Sequence, residues 1–127
     1  MMKLANITKQ TQRAKEFFED RLAFTVGPVE LKEMMEKERN SIEIIDVRLK
    51  EYYDKGHIPS ALSIPGKDLE MYMNKLSKDK ITIVYCYSQQ CHLGSKIALV
   101  LADKGYPVME LEGGFNEWKN SNFDIVS

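Results

Sequence analysis

The apolar positions of this chain follow two different periods. Short runs rich in β-branched side chains recur between longer stretches in which apolar residues return every third or fourth position. Ile42–Val47, Ala61–Ile64, Ile81–Tyr85 and Val108–Leu111 are bounded by turn residues and too short for most helices, which predicts strands. Phe24-Thr25-Val26 is a further short strand candidate. Between these runs the spacing is helical. Thr11–Leu22 places Ala14, Phe17, Phe18 and Leu22 on one stripe, a face that is expected to cover an edge of the domain. Val29–Arg39 turns Leu31, Met34 and Met35 inward, and Gly66–Leu76 turns Leu69, Tyr72, Met73 and Leu76 inward. His92–Lys104 carries Leu93, Ile97, Val100 and Leu101 on one face. Glu51–Lys55 predicts one helical turn, and Phe115 with Trp118 a terminal helix. The punctuation agrees. Pro28 suits a first helical position, Gly105 a helix end and Gly113-Gly114 a turn. Strands alternating with helices predict an α/β fold, a parallel sheet covered on both faces.

One stretch carries candidate chemistry. Ile81–Tyr85 is followed by Cys86, then by the polar segment Tyr87-Ser88-Gln89-Gln90-Cys91-His92, then by the helix. Cys86 therefore stands where a buried strand ends and a loop leads into a helix. Ligands collect at that place in open α/β sheets. Backbone N–H groups of such a loop and of the first helical turn can hold an anion, and they can lower the pKa of a thiol. The local pattern fits equally well a cysteine that only fills space, since unbonded cysteine is among the most buried residue types.

Composition narrows the classes. The 127 residues suit one ordinary domain, 43% apolar and 29% charged. A net charge of −1 gives no reason to expect nucleic acid or an anionic membrane as partner. No apolar run reaches transmembrane length, and the first residues lack the apolar core of a signal peptide. Two cysteines make no disulfide framework, so a reduced, cytoplasmic setting is expected. Met1–Gln10 is polar with little periodicity and is expected to be partly disordered. Asp46 closes an apolar strand beside Arg48, and a structural carboxylate is the reading there. His57 stands alone between turn residues and reads as a hydrogen-bonding group, with no metal expected.

Several motifs together resemble the rhodanese-like family. Ile45-Asp46-Val47-Arg48, Glu51-Tyr52-Tyr53, Gly56-His57-Ile58-Pro59 and Ala61–Pro65 are similar to its N-terminal half. Val84-Tyr85-Cys86 is similar to its active-site strand, and Gly105-Tyr106, Leu111-Glu112-Gly113-Gly114 and Trp118 to its C-terminal signature. The resemblance implies a small parallel sheet of about five strands with helices on both faces. It makes residues 24–127 the domain and residues 1–23 an extension whose helix packs on it. It also implies a sulfurtransferase that carries sulfane sulfur as a persulfide on Cys86, with Asp46, Arg48 and His57 as architecture. The loop departs from the common family pattern, because Tyr87–His92 contains neither glycine nor arginine. Some family members with an added N-terminal helix carry a loop of this kind, with a second cysteine five residues on.

The expected reaction takes sulfur from a small-molecule donor, thiosulfate or a persulfide, to thiol, cyanide or a protein acceptor, with no cofactor. The donor's anion would rest on loop N–H groups of Tyr87, Ser88, Gln89, Gln90, Cys91 and His92, with the His92 side chain as an aid. Cys91 is a candidate auxiliary or resolving thiol. Two other readings stay open: a thiol–disulfide redox protein using Cys86 and Cys91, and a non-catalytic interaction module of the same fold. A phosphatase of this fold would need a loop guanidinium, which the loop lacks.

Overall fold

In the computed structural model, Cys86 directly follows the central strand of a five-stranded parallel sheet, where the chain leaves that strand for a loop and a helix. The structure describes residues 6, 7 and 9–127. The reading of Met1–Gln10 therefore concerns mostly residues outside the described ones. The strands are β1 (Thr25–Val26), β2 (Ile42–Asp46), β3 (Leu62–Ser63), β4 (Ile81–Tyr85) and β5 (Val108–Leu111), in the spatial order β1-β5-β4-β2-β3. The α-helices are α1 (Thr11–Phe24), α2 (Pro28–Lys37), α3 (Lys50–Lys55), α4 (Leu69–Tyr72), α5 (Leu93–Asp103) and α6 (Gly114–Asn120). No helix among the described residues is long and apolar enough to cross a membrane.

The two faces of the sheet bury two separate cores, and strand parity assigns each residue to one of them. Ile44, Ile83 and Tyr85 pack with Leu31 of α2 and Trp118 of α6. Ile45, Val84 and Cys86 pack with Leu69 of α4 and with Ile97 and Leu101 of α5. In the register between β2 and β4, Ile44 lies opposite Ile83, Ile45 opposite Val84, and Asp46 opposite Tyr85. Like therefore meets like across the pair.

Four expectations need correction. Phe24 ends α1 rather than opening a strand, because Thr25 is the first residue to pair with β5. The stretch Gly66–Leu76 is not one helix. It breaks into 3₁₀ turns at Gly66–Asp68 and Met73–Lys75 around the single α-turn α4, with Leu69 and Leu76 buried. Ile81, at the start of β4, is only partly buried. The stripe on α1 is not covered. Phe17, Phe18 and Leu22 are 60%, 53% and 81% exposed, and the two phenylalanine rings stack edge-on against each other. A forked ion pair, Arg21 to Glu112 at 2.9 and 3.2 Å, joins α1 to the residue that follows β5.

Candidate active site

Because side chains alternate along β4, Tyr85 and Cys86 enter opposite cores. Cys86 is 3% exposed and lies on the α5 side. The chain must then pass from strand to helix in the six residues Tyr87–His92, and it does so as a curl. The N–H of Cys91 donates to the carbonyl of Ser88 at 3.1 Å. Neighbouring elements hold the curl in place. Phe115 and Asn116 of α6 donate their N–H groups to the carbonyls of Cys86 and Tyr87 at 2.9 and 3.0 Å. The Gln89 side chain accepts from the N–H of Gly113 at 2.8 Å. The Tyr87 hydroxyl accepts from the N–H of Leu49 at 3.3 Å, and its ring meets Tyr52 edge-on.

Two glycines permit this closeness. A Cβ on Gly114, whose φ is +59°, would lie 2.7 Å from the carbonyl oxygen of Cys86. A Cβ on Gly94, in the first turn of α5, would lie 2.6 Å from a Glu110 carboxylate oxygen and 3.6 Å from Cys86 Cβ. The first turn of α5 can therefore sit directly beside the cysteine.

The curl brings Cys91 onto Cys86. The two thiols lie close enough to shift each other's ionisation, and Cys91, half-buried, packs on the same core as Cys86. The N–H groups of Tyr87 and Gly94 lie near both sulfurs, and that of Leu93 lies near Cys91 as well. The two thiols differ in acidity. Burial pushes the Cys86 thiol up to about 12, and the bond to Cys91 acts in the same direction. At Cys91 burial also opposes the thiolate, but the hydrogen bond from Cys86 and the three backbone N–H groups outweigh it and move this thiol down. The pair thus takes its first negative charge on the Cys91 side, with Cys86 as donor.

A group whose pKa is lowered is ionised from a lower pH upward. Brief alkylation with iodoacetamide near neutral pH should therefore label Cys91 ahead of Cys86. In Cys86→Ala the donor to Cys91 is lost, so Cys91 should react more slowly at that pH. Peptide mass mapping reads both results, and label appearing first on Cys86 would refute this order of acidity.

The other residues singled out from the sequence do not join this cradle. Asp46 is fully buried on the opposite face of the sheet. It accepts from the Arg48 guanidinium at 2.7 to 3.1 Å, from the Arg48 N–H at 3.0 Å and from the Tyr85 hydroxyl at 2.7 Å. Arg48 also donates to the carbonyl of Gly56 at 2.7 Å and lies 4.0 Å over the Phe115 ring. That guanidinium is spoken for and faces away from the sulfurs. The His57 ring stacks on Tyr53 at 3.6 Å, its Nδ1 sits 2.8 Å from the carbonyl of Tyr53, and its backbone pairs with Val126. His92 is exposed at the N-cap of α5, and Gln89 and Gln90 are exposed on the loop. Among the described residues no three His, Cys, Asp or Glu side chains gather as metal ligands.

A family model described as a rhodanese-like domain matches residues 27–121, most of the chain. The chain belongs to the rhodanese-like family. The rhodanese-like domain is 35% identical over 82 residues to a thiosulfate sulfurtransferase, GlpE of Coxiella burnetii, covering 64% of this chain and 75% of that protein. It is 30% identical over 89 residues to an HTH-type transcriptional regulator, Rv0324 of Mycobacterium tuberculosis, covering 70% of this chain and only 39% of the regulator. Among solved structures, the BH2092 protein of Bacillus halodurans superposes with a TM-score of 0.83 at 31% identity, over 93% of this chain and 87% of that one.

Sequence reading missed several residues that shape this site. Gly94 left a weak signal, a glycine interrupting a helical stripe one turn after the loop begins. The hydroxyl of Tyr85 left none, because its partner Asp46 is distant in sequence and adjacent only through strand pairing. The link from Gln89 to Gly113 was likewise invisible.

Proposed function

We propose that this rhodanese-like domain, residues 24–127 with residues 1–23 as an extension, transfers sulfane sulfur through a persulfide on Cys86. The observation that carries the reading is the cradle itself: a cysteine at the end of the central strand, with backbone N–H groups of a curled loop and a helix start aimed at its sulfur. The Cys86 sulfur attacks the outer sulfur of the donor. The bond from that sulfur to the rest of the donor breaks, and the remainder leaves as an anion. Cys91, whose thiol is shifted down and which packs on the same core, is placed to take the Cys86 proton as attack begins. The N–H groups of Tyr87 and Gly94 then stabilise the persulfide anion.

The loop, with Tyr87, Ser88, Gln89, Gln90 and His92 forming its rim, offers dipoles but no guanidinium, and Arg48 is engaged elsewhere. A singly charged organic persulfide fits such a site better than the dianion thiosulfate. Thiol or cyanide takes the sulfur in the second half of the reaction.

Steady-state transfer from thiosulfate or glutathione persulfide to cyanide tests the covalent route. Parallel double-reciprocal lines are expected, since the first product leaves before the acceptor enters. Lines that intersect, requiring both substrates bound together, would exclude a persulfide intermediate.

A further inference from the structure

We infer that Cys91 discharges the loaded site: it attacks the Cys86 persulfide at its inner sulfur, releases sulfide and leaves a Cys86–Cys91 disulfide. The inference rests on the persulfide reading above and adds a second activity, the reduction of sulfane sulfur at the expense of a dithiol. Its ground is the juxtaposition of the two side chains. The turn from Ser88 to Cys91 folds the loop back on itself, Cys91 packs on the same core as Cys86, and each thiol shifts the ionisation of the other. A loop that ran straight from strand to helix would leave the second cysteine remote. Here the anchors on both sides, from Gly113 to Gln89 and from Phe115 and Asn116 to the loop carbonyls, hold it curled.

The chemistry balances. The Cys91 thiolate donates an electron pair to Cys86 Sγ, and a bond forms between the two Sγ atoms. The bond from Cys86 Sγ to the outer sulfur breaks, and its electrons leave with that sulfur as hydrosulfide, which keeps the persulfide proton. In this step Cys91 is oxidised and the outer sulfur is reduced to sulfide, so that over loading and discharge together both cysteines supply the two electrons that reduce the sulfane sulfur. A small or protein dithiol then restores both thiols by exchange and is itself oxidised to a disulfide. The ease with which Cys91 gives up its proton favours the attack, because the thiolate is the nucleophile in such exchange. Cys91 is also the more exposed of the pair, which leaves the disulfide open to a reductant from solvent. Cyanide or an external thiol competes with this step for the persulfide, so the ratio of sulfide to transferred sulfur reports the partition.

The test uses the full chain, reduced, freed of thiol and kept without oxygen. It is treated with thiosulfate, a donor that brings neither thiol nor sulfide, with glutathione persulfide as a second donor. The parent should release one sulfide per chain and finish two hydrogens lighter than the dithiol form. Cys91→Ser should release none and finish one sulfur heavier, with the gain mapped to Cys86. A parent that retains the extra sulfur and releases no sulfide would overturn the inference while leaving sulfur transfer intact. Failure of Cys91→Ser to gain sulfur from either donor would overturn the Cys86 persulfide itself, and the discharge step with it. Parent protein held without donor should remain a dithiol throughout. Disulfide forming there at the same rate would assign the pair to plain oxidation and reject the discharge step.

Discussion

Cys86→Ser should lower sulfur transfer by on the order of 10³-fold or more, the scale on which enzymes lose activity when a nucleophile is removed, while the chain still folds. Serine oxygen cannot form the persulfide, and Cys91, the other thiol of the loop, stands five residues on rather than at the strand end. The fold should survive because the hydroxyl inherits hydrogen-bonding partners. The Tyr87 and Gly94 N–H groups and the Cys91 thiol all reach this position. A buried hydroxyl with partners costs about 1 kcal/mol, far less than an unpaired one. Thiocyanate production from donor and cyanide reads the activity, and a thermal melt reads the fold. Cys91→Ser is the informative partner variant, because it removes the proton acceptor and the discharging thiol but keeps the loading sulfur. Full activity in Cys86→Ser with loss in Cys91→Ser would exchange the roles of the two cysteines.

The largest effect on stability is expected at the opposite face of the sheet. Asp46→Ala should destabilise the domain by about 3–5 kcal/mol, the usual cost of removing one partner from a buried ion pair. Arg48 is 4% exposed, and the carboxylate is its only charged partner among the described residues. Its loss strands a guanidinium in the core and also strands the Tyr85 hydroxyl, which donates to the same carboxylate. Burial, the largest cause, still pushes the tyrosine's own ionisation upward once the carboxylate is gone, which opposes relief of the site by charging. The double variant Asp46→Ala/Arg48→Met should lose less than the sum of the single changes, since it removes the stranded charge. Denaturant melts of the four proteins test this. Additive losses would show that the pair is not coupled, and a single-variant cost below about 1 kcal/mol would place it with surface pairs.

Both expectations turn on the parity of β2 and β4. A carboxylate, an arginine and a cysteine so close to one another at the ends of neighbouring strands invite assembly into one active site. The alternation of the sheet forbids it. Asp46 and Tyr85 point into one core, and Cys86, the residue after Tyr85, into the other. The anion-holding work on the cysteine side therefore falls to backbone N–H groups, which suits a site that stabilises a persulfide more than one that stabilises a phosphoryl group.

The order of strands and helices was readable directly from the chain, because a buried parallel strand writes itself as a β-branched run and a covering helix as a stripe of fixed period. Ile42–Asp46, Ile81–Tyr85 and Val108–Leu111 carried that signal, as did Ile97 and Leu101. The place of Cys86 at the strand end was legible for the same reason. The limits of Gly66–Leu76 were not, since helical spacing does not distinguish one helix from a single α-turn flanked by 3₁₀ turns. Nor did the stripe on α1 reveal that Phe17 and Leu22 would stay exposed. Periodicity reports that a face is apolar and says nothing about what covers it. The tertiary structure alone decided the chemistry of the pair. Five residues separate Cys86 from Cys91, a distance that an extended loop would keep open and a curled one closes. The curl depends on Gly113, Phe115 and Asn116, which reach the loop only because β5 pairs beside β4 and delivers α6 to it. Contacts between segments distant in the chain set the direction of each thiol's shift, and no local pattern encodes them.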